Sequence, residues 1–166
     1  MSKILTNLFL EELKAEAGAT RAILSLVPIE KGDYKPHEKS MKLMSLAVHV
    51  AEIPGWFGDA TKKDVLDFAT MEHKPFIPAS NAELLAVYDK KINEAFTILE
   101  TIDDEKLKEN WTMRAGEIVY FTLPKSNVIR TWCLNHWYHH RAQLGVYLRM
   151  LDIPLPGTYG PSADMS

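Results

Sequence analysis

A chain of 166 residues with 19 Lys+Arg, 22 Asp+Glu and a formal net charge of -3 suffices for one domain that buries roughly two thirds of the surface exposed by its unfolded form. The charges are interspersed without a basic stripe for a phosphate backbone, and no apolar run approaches the roughly 20 residues of a membrane span, so nucleic acid and membrane are poor partners. The single cysteine, Cys133, has no partner for an intramolecular disulfide, and no basic segment followed by a signal-type apolar run opens the chain, so a cytoplasmic protein is expected.

In chain order, the first helix is predicted from about Thr6 to Leu26, where Phe9, Leu13, Ile23 and Leu24 contribute to an apolar stripe that stops before Pro28. A polar connection carrying Gly32 and Pro36 leads to a second helix, with Ser40 as its N-cap, that continues through "MKLMSLAVHVAEI" until Pro54 and Gly55 kink or end it. After a loop with Pro75 and Pro78, the third helix opens on Ser80 and Glu83 at capping-box spacing and runs to about Ile102. From Asp103 to Pro124 the content becomes aromatic and β-branched around Gly116, which predicts a long, partly extended crossover: a small hairpin or a distorted helix. The fourth helix runs from about Ser126 to Leu151, and the tail after Pro154 is loose or draped over the surface. With no internal repeat, residues 1–166 read as a single all-α domain, a four-helix bundle with a long crossover before the last helix.

The chemistry is concentrated in "NHWYHHRAQL", Asn135 to Leu144, which holds three of the six histidines. Each imidazole has ring nitrogens that must be hydrogen-bonded, metallated or hydrated when buried, so a helix that only packs has little use for this density. At about 100° per residue, His140 lies about 40° around the helix from His136, in the sector shared with Cys133, Gln143 and Tyr147. His139 falls about 60° to the other side of His136, so His136 and His140 are the pair expected to converge. That i,i+4 spacing lets one helix face present two nitrogens to one ion, although the Glu of the metalloprotease HExxH motif is replaced by Trp137. In the second helix, His49 flanks Leu46, Ile53 and Trp56 and also points inward. Three neutral imidazoles in a bundle interior suit Zn, Ni, Cu or Fe better than Mg or Ca, and they leave a coordination position open.

These residues carry a resemblance. "SMKLMSLAVHVAEIPGW" from Ser40 to Trp56 and "NHWYHHRAQLGVYLRMLDIPLP" from Asn135 to Pro156 resemble the DinB/YfiT-like superfamily of bacterial metal-binding four-helix bundles. Its pattern, a histidine late in helix two followed by H-x-x-x-H-R-[GA]-Q-[LI] on the last long helix, is matched at His49, His136, His140, Arg141, Ala142, Gln143 and Leu144. Ala142 stands where many members have Gly. The resemblance implies an up-down-down-up bundle, a divalent metal on His49, His136 and His140 with Zn or Ni foremost, and a homodimer. It further implies an enzyme acting on a small molecule, a thiol S-transferase using a low-molecular-weight thiol. A metal-dependent hydrolase and a noncatalytic, stress-associated metal-binding module are the alternatives, because fold and metal can be shared while the chemistry differs.

Around the triad, Glu52 is a solvated residue, a general base or a fourth ligand, and Cys133 is an inert core thiol or a soft ligand. Gln143 is a packing residue or a partner to a ligand. Arg141, about 140° from His136, is expected to anchor a carboxylate between helices. Trp56, Trp132 and Trp137 read as core or interface rings.

Overall fold

The computed structural model describes residues 2–72 and 75–165. Helix α1 spans Ile4–Ser25 and starts ahead of the Thr6 expected from its apolar stripe. The early start has a distant cause. The Asp104 carboxylate accepts the backbone N–H groups of Ile4 (2.9 Å), Leu5 (3.1 Å) and Thr6 (3.0 Å) and the Ser2 hydroxyl (2.6 Å). It thereby satisfies donors that the first turn of any helix leaves open, a task no side chain at Lys3 performs.

Helix α2 spans Leu43–Glu52, so Ser40 is not its N-cap. The loop before it caps the helix with main chain instead, as Leu43 N donates to Tyr34 O (2.8 Å) and Met44 N to Gly32 O (2.9 Å). α2 ends at Glu52 as Pro54 and Gly55 predict, and the 3-10 turn over Ile53–Gly55 leads into a further short helix, α3, Trp56–Lys62. Helix α4 (Asn81–Thr101) keeps its expected start, with Ser80 Oγ accepting Glu83 N (3.2 Å) and the Glu83 carboxylate returning to Ala79 N (2.8 Å).

The segment expected as a crossover contains a five-residue helix, α5 (Asp104–Lys108), and the hairpin β2 (Asn110–Ala115) to β3 (Ile118–Pro124). The turn uses Gly116 at φ +58°, where a Cβ would be strained. A further strand, β1 (Val65–Asp67), pairs parallel to β2, with Val65 opposite Thr112 and Asp67 opposite Arg114, giving the sheet order β1-β2-β3. The chain is therefore mostly helical with a small three-stranded sheet, and the all-α expectation falls short by that sheet. Three residues were too few for β1 to show an alternating pattern.

Lys125, fully buried at the start of α6 (Lys125–Val128), ties the sheet to the helices by donating to Asp64 (2.7 Å) and Glu109 (2.8 Å). Burial alone would lower its pKa, but these two carboxylates outweigh it and raise it. The helical path then runs unbroken into α7 (His136–Met150), except that over Ile129–Asn135 its hydrogen bonds widen to the π pattern.

α1 packs on α4 and α7, α4 on α2, and α2 on α7. Between them lies one hydrophobic cluster in which Leu13, Leu24, Leu84, Leu99 and Leu144 have no exposed surface. The tail is draped over this body rather than loose. Arg149 pairs with Asp164, and Tyr159 places its hydroxyl between Arg141 (2.7 Å) and Glu16 (2.9 Å). Arg141 itself is only 4% exposed and lies 2.6 Å from Glu16 Oε2 of α1. The Arg141 nitrogen in that contact, Nη1, directs its hydrogens to Thr20 Oγ1 (3.0 Å) and Glu16 O (3.4 Å), so the carboxylate contact is chiefly coulombic.

Two outcomes follow from these buried ionic contacts. Removing Arg141 strands a mostly buried carboxylate, so Arg141→Ala is expected to lower stability in urea by about 3 kcal/mol; a change under about 0.5 kcal/mol would show that the pair is energetically idle. The bond from Ser2, reinforced by the amides of Thr6 and Leu5 and opposed by burial, holds the Asp104 carboxyl at about 2, below its ordinary 3.8. The folded state therefore binds fewer protons than the unfolded state across that interval, and the contribution of Asp104 is present above about pH 4 and is lost as pH falls toward 2. Thermal melts should show Asp104→Asn less stable than wild type at neutral pH, with the gap closing toward pH 2.

Candidate metal centre

The site forms where α2 meets α7. Two side chains of α7 fix the register by donating to main-chain carbonyls on either side of His49: Trp137 Nε1 to Val50 O in α2 (3.0 Å) and Tyr147 OH to Met41 O in the loop just before α2 (3.1 Å). With the helices so aligned, His49 Nε2 lies 3.0 Å from His136 Nε2. His140, one turn further along α7, brings its ring centroid to 4.6 Å from that of His49 and 4.4 Å from that of His136. Each of the three offers a ring nitrogen, and these nitrogens all lie within 4.8 Å of one another.

The donor set fits a divalent transition ion. Nitrogens at 2.0–2.1 Å from a tetrahedral ion stand about 3.3 Å apart, so the 3.0 Å between His49 and His136 needs only a small adjustment. Burial, then the neighbouring imidazoles, lowers His49 and His136 to about 4 from an ordinary 6.5. Burial also lowers His140, against an opposing bond from Gln143. All three therefore remain neutral near pH 7, the form that ligates. Gln143 Oε1 lies 2.8 Å from His140 Nδ1; as an acceptor it holds the proton on Nδ1 and leaves Nε2 with its lone pair.

Tryptophans wall one side. Trp56 stacks on Trp132 with ring centroids 4.3 Å apart and approaches both His49 (5.3 Å) and His136 (5.2 Å). On another side a cavity of about 400 Å³ opens between α2 and the 75–77 segment, lined in part by His49, Glu52, Met44, Val48 and Phe76.

Of the residues singled out in the sequence, His49, His136, His140 and Gln143 come together, while His139 is exposed on the flank with its ring 4.9 Å from that of His140. Cys133 is fully buried and its thiol is pushed well above its usual range by that burial, so it behaves as a core residue. Arg141 faces α1, away from the triad, as its position around the helix indicates. Trp137 and Trp56 do more than pack, the first by fixing α2 to α7 and the second by screening the imidazoles. The contribution of Phe76 carried no sequence signal, because it comes from a connecting segment without periodicity.

Comparison with known proteins agrees with this arrangement. The chain is 26% identical over 160 residues to the uncharacterized protein YrdA of Bacillus subtilis (strain 168), covering 94% of this chain and 89% of that protein. Its fold matches the solved structure of a DinB-like protein of Bacillus subtilis, YjoA, with a TM-score of 0.67 at 18% identity, over 90% of this chain and 96% of the other. It matches a DinB-like protein of Bacillus cereus ATCC 10987 equally well, at 0.67 and 22% identity, over 91% and 95%. Among the described residues no helix is long and apolar enough to cross a membrane. The model of the DinB family matches residues 1–166, and the chain belongs to that family.

Proposed function

We propose that this protein is a divalent-metal-dependent enzyme acting on a small molecule, built as a single up-down-down-up four-helix bundle with Zn or Ni on His49, His136 and His140. The observation that carries the reading is the cavity of about 400 Å³ that reaches His49. A purely structural ion needs no such opening, whereas a catalytic one needs a free position beside a space for substrate. When bound, the ion would supply a Lewis-acid position that acidifies a water or thiol held there.

The chain's own groups do the positioning. His49 comes from one helix and His136 and His140 from another, so the three lone pairs converge only when α2 and α7 are docked. Gln143 fixes the proton of His140, and the Trp56–Trp132 stack covers the His49 and His136 rings on its side, where stray solvent would compete for the site. The family resemblance extends the proposal to a low-molecular-weight thiol as co-substrate for S-transfer, and to a cytoplasmic homodimer.

Purified without an affinity tag, the protein is expected to carry close to one transition-metal ion per chain. His49→Ala, His136→Ala and His140→Ala should each lose it, while His139→Ala should retain it. Equal metal in wild type and His136→Ala by elemental analysis would sink the reading. Gln143→Ala should keep the site but weaken it in chelator competition by roughly ten- to a hundredfold, the usual effect of losing a partner that orients a ligand.

The thiol is tested by cobalt substitution. Adding glutathione or a small dithiol should raise an intense sulfur-to-metal charge-transfer absorption, and ester hydrolysis without such a band would replace S-transfer with a hydrolase.

A further inference from the structure

The cavity beside His49 has a chemical character of its own. Its α2 wall presents Met44 and Val48, and the facing segment presents Phe76, half-buried, and Ile77, 78% exposed at the rim. These residues form an apolar clamp of two sides, open to solvent at the top and reaching an imidazole at the bottom. Its polar lining is Asp33, Lys42, Ser45, His49 and Glu52. Asp33 and Lys42 neutralise each other at 2.6 Å, which leaves Glu52 as the lining charge without a counter-ion among the described residues. Among the described residues Glu52 makes neither a salt bridge nor a side-chain hydrogen bond, yet it is half-buried, one helical turn beyond His49. A half-buried carboxylate loses hydration that no described residue returns here, and a ligand that donates to it recovers that loss. Phosphates, dicarboxylates and other anions would meet it as a repelling charge.

The geometry points to this cavity as the recognition pocket of the triad, selecting an amphipathic small molecule whose cationic or hydrogen-donating head meets Glu52 and whose apolar body lies between Met44, Val48, Phe76 and Ile77. The inference rests on the enzyme reading for its purpose, but not for its physics: the head-group preference set by Glu52 is read on chelator-stripped protein, where no ion on the imidazoles opposes the ammonium. Flexible Met44 and aromatic Phe76 set the size of the body, since a thioether adapts to an aryl or branched group that a stiffer side chain would reject.

Three probes of one size separate these terms: 2-phenylethylammonium, 2-phenylethanol and 2-phenylethanesulfonate, none a strong metal ligand near neutral pH. Their affinities are read by calorimetry on zinc-loaded and on chelator-stripped protein. The ammonium should bind about tenfold tighter than the alcohol, the worth of one charge-assisted hydrogen bond at a half-exposed group, and the sulfonate should bind weakest. Glu52→Gln should bring the ammonium and alcohol to within about twofold of each other, and Phe76→Ala should weaken all three together. Zinc content should be unchanged in both variants.

The two readings fail separately. A protein that holds no zinc but keeps the head-group order refutes the metal and retains the pocket. A protein that holds zinc but, once stripped, binds the sulfonate tightest, or whose order then survives Glu52→Gln, or whose affinities ignore Phe76→Ala, overturns the pocket and leaves the metal reading standing.

Discussion

The approach of His49 to His136, nitrogen to nitrogen at 3.0 Å across two helices, is the constraint around which the rest is arranged. Two imidazoles at that distance cannot both turn lone pairs toward each other without an ion or a proton between them. A second full positive charge is opposed by burial and by the neighbouring ring, which is why both groups sit at about 4 rather than 6.5. The surroundings keep the pair neutral, and a neutral pair at this distance is satisfied either by an N–H···N bond between the rings or by a cation held on both lone pairs. The α2–α7 docking behind this approach is held by hydrogen bonds from Trp137 to Val50 O in α2 and from Tyr147 to Met41 O just ahead of it, so a core ring and a polar tip together set the register of the site.

Several distant ties keep the two helices in that register. Arg141 and Glu16 bind α7 to α1, and Tyr159 brings the tail down onto the same pair. Asp104 closes the start of α1 against the α4–α5 junction, and Lys125 anchors the sheet beneath the π segment that leads into α7. Each tie joins residues far apart in sequence through a charged group that is buried or capped. Such contacts contribute less to net stability than apolar packing of equal size, but they are costly to misplace, so they select one arrangement of the helices over its near alternatives.

What the sequence disclosed was periodic. His136 and His140 share one helical turn, and their convergence follows from about 100° per residue without knowledge of any other part of the chain. The geometry survived the π segment because both residues lie beyond it, in α7; angles carried across Ile129–Asn135, from Cys133 to His136, do not obey the same count. Ser80 and Glu83 were equally legible, since a capping box is a local device whose partners lie within four residues. Ser40 misled for the complementary reason: the donors it would have capped are met by carbonyls at Gly32 and Tyr34, which only the fold brings near. The strand β1, the α5 turn and the carboxylate that starts α1 likewise depend on partners remote in sequence, and three- to five-residue elements carry no period to detect.

The same division runs through the site. The imidazoles sit on regular helices and were visible from spacing, whereas one wall of the cavity beside them is the 75–77 segment, whose placement no pattern encodes. Scaffolds hold reactive groups rigidly, while connecting segments vary and determine what may approach them. A family that keeps its ligands on two docked helices and supplies the remaining wall from a loop can change substrate without disturbing the ion. In this chain the loop wall is Phe76 and Ile77 opposite Met44 and Val48, with Glu52 as the charge between that wall and the imidazole at its base.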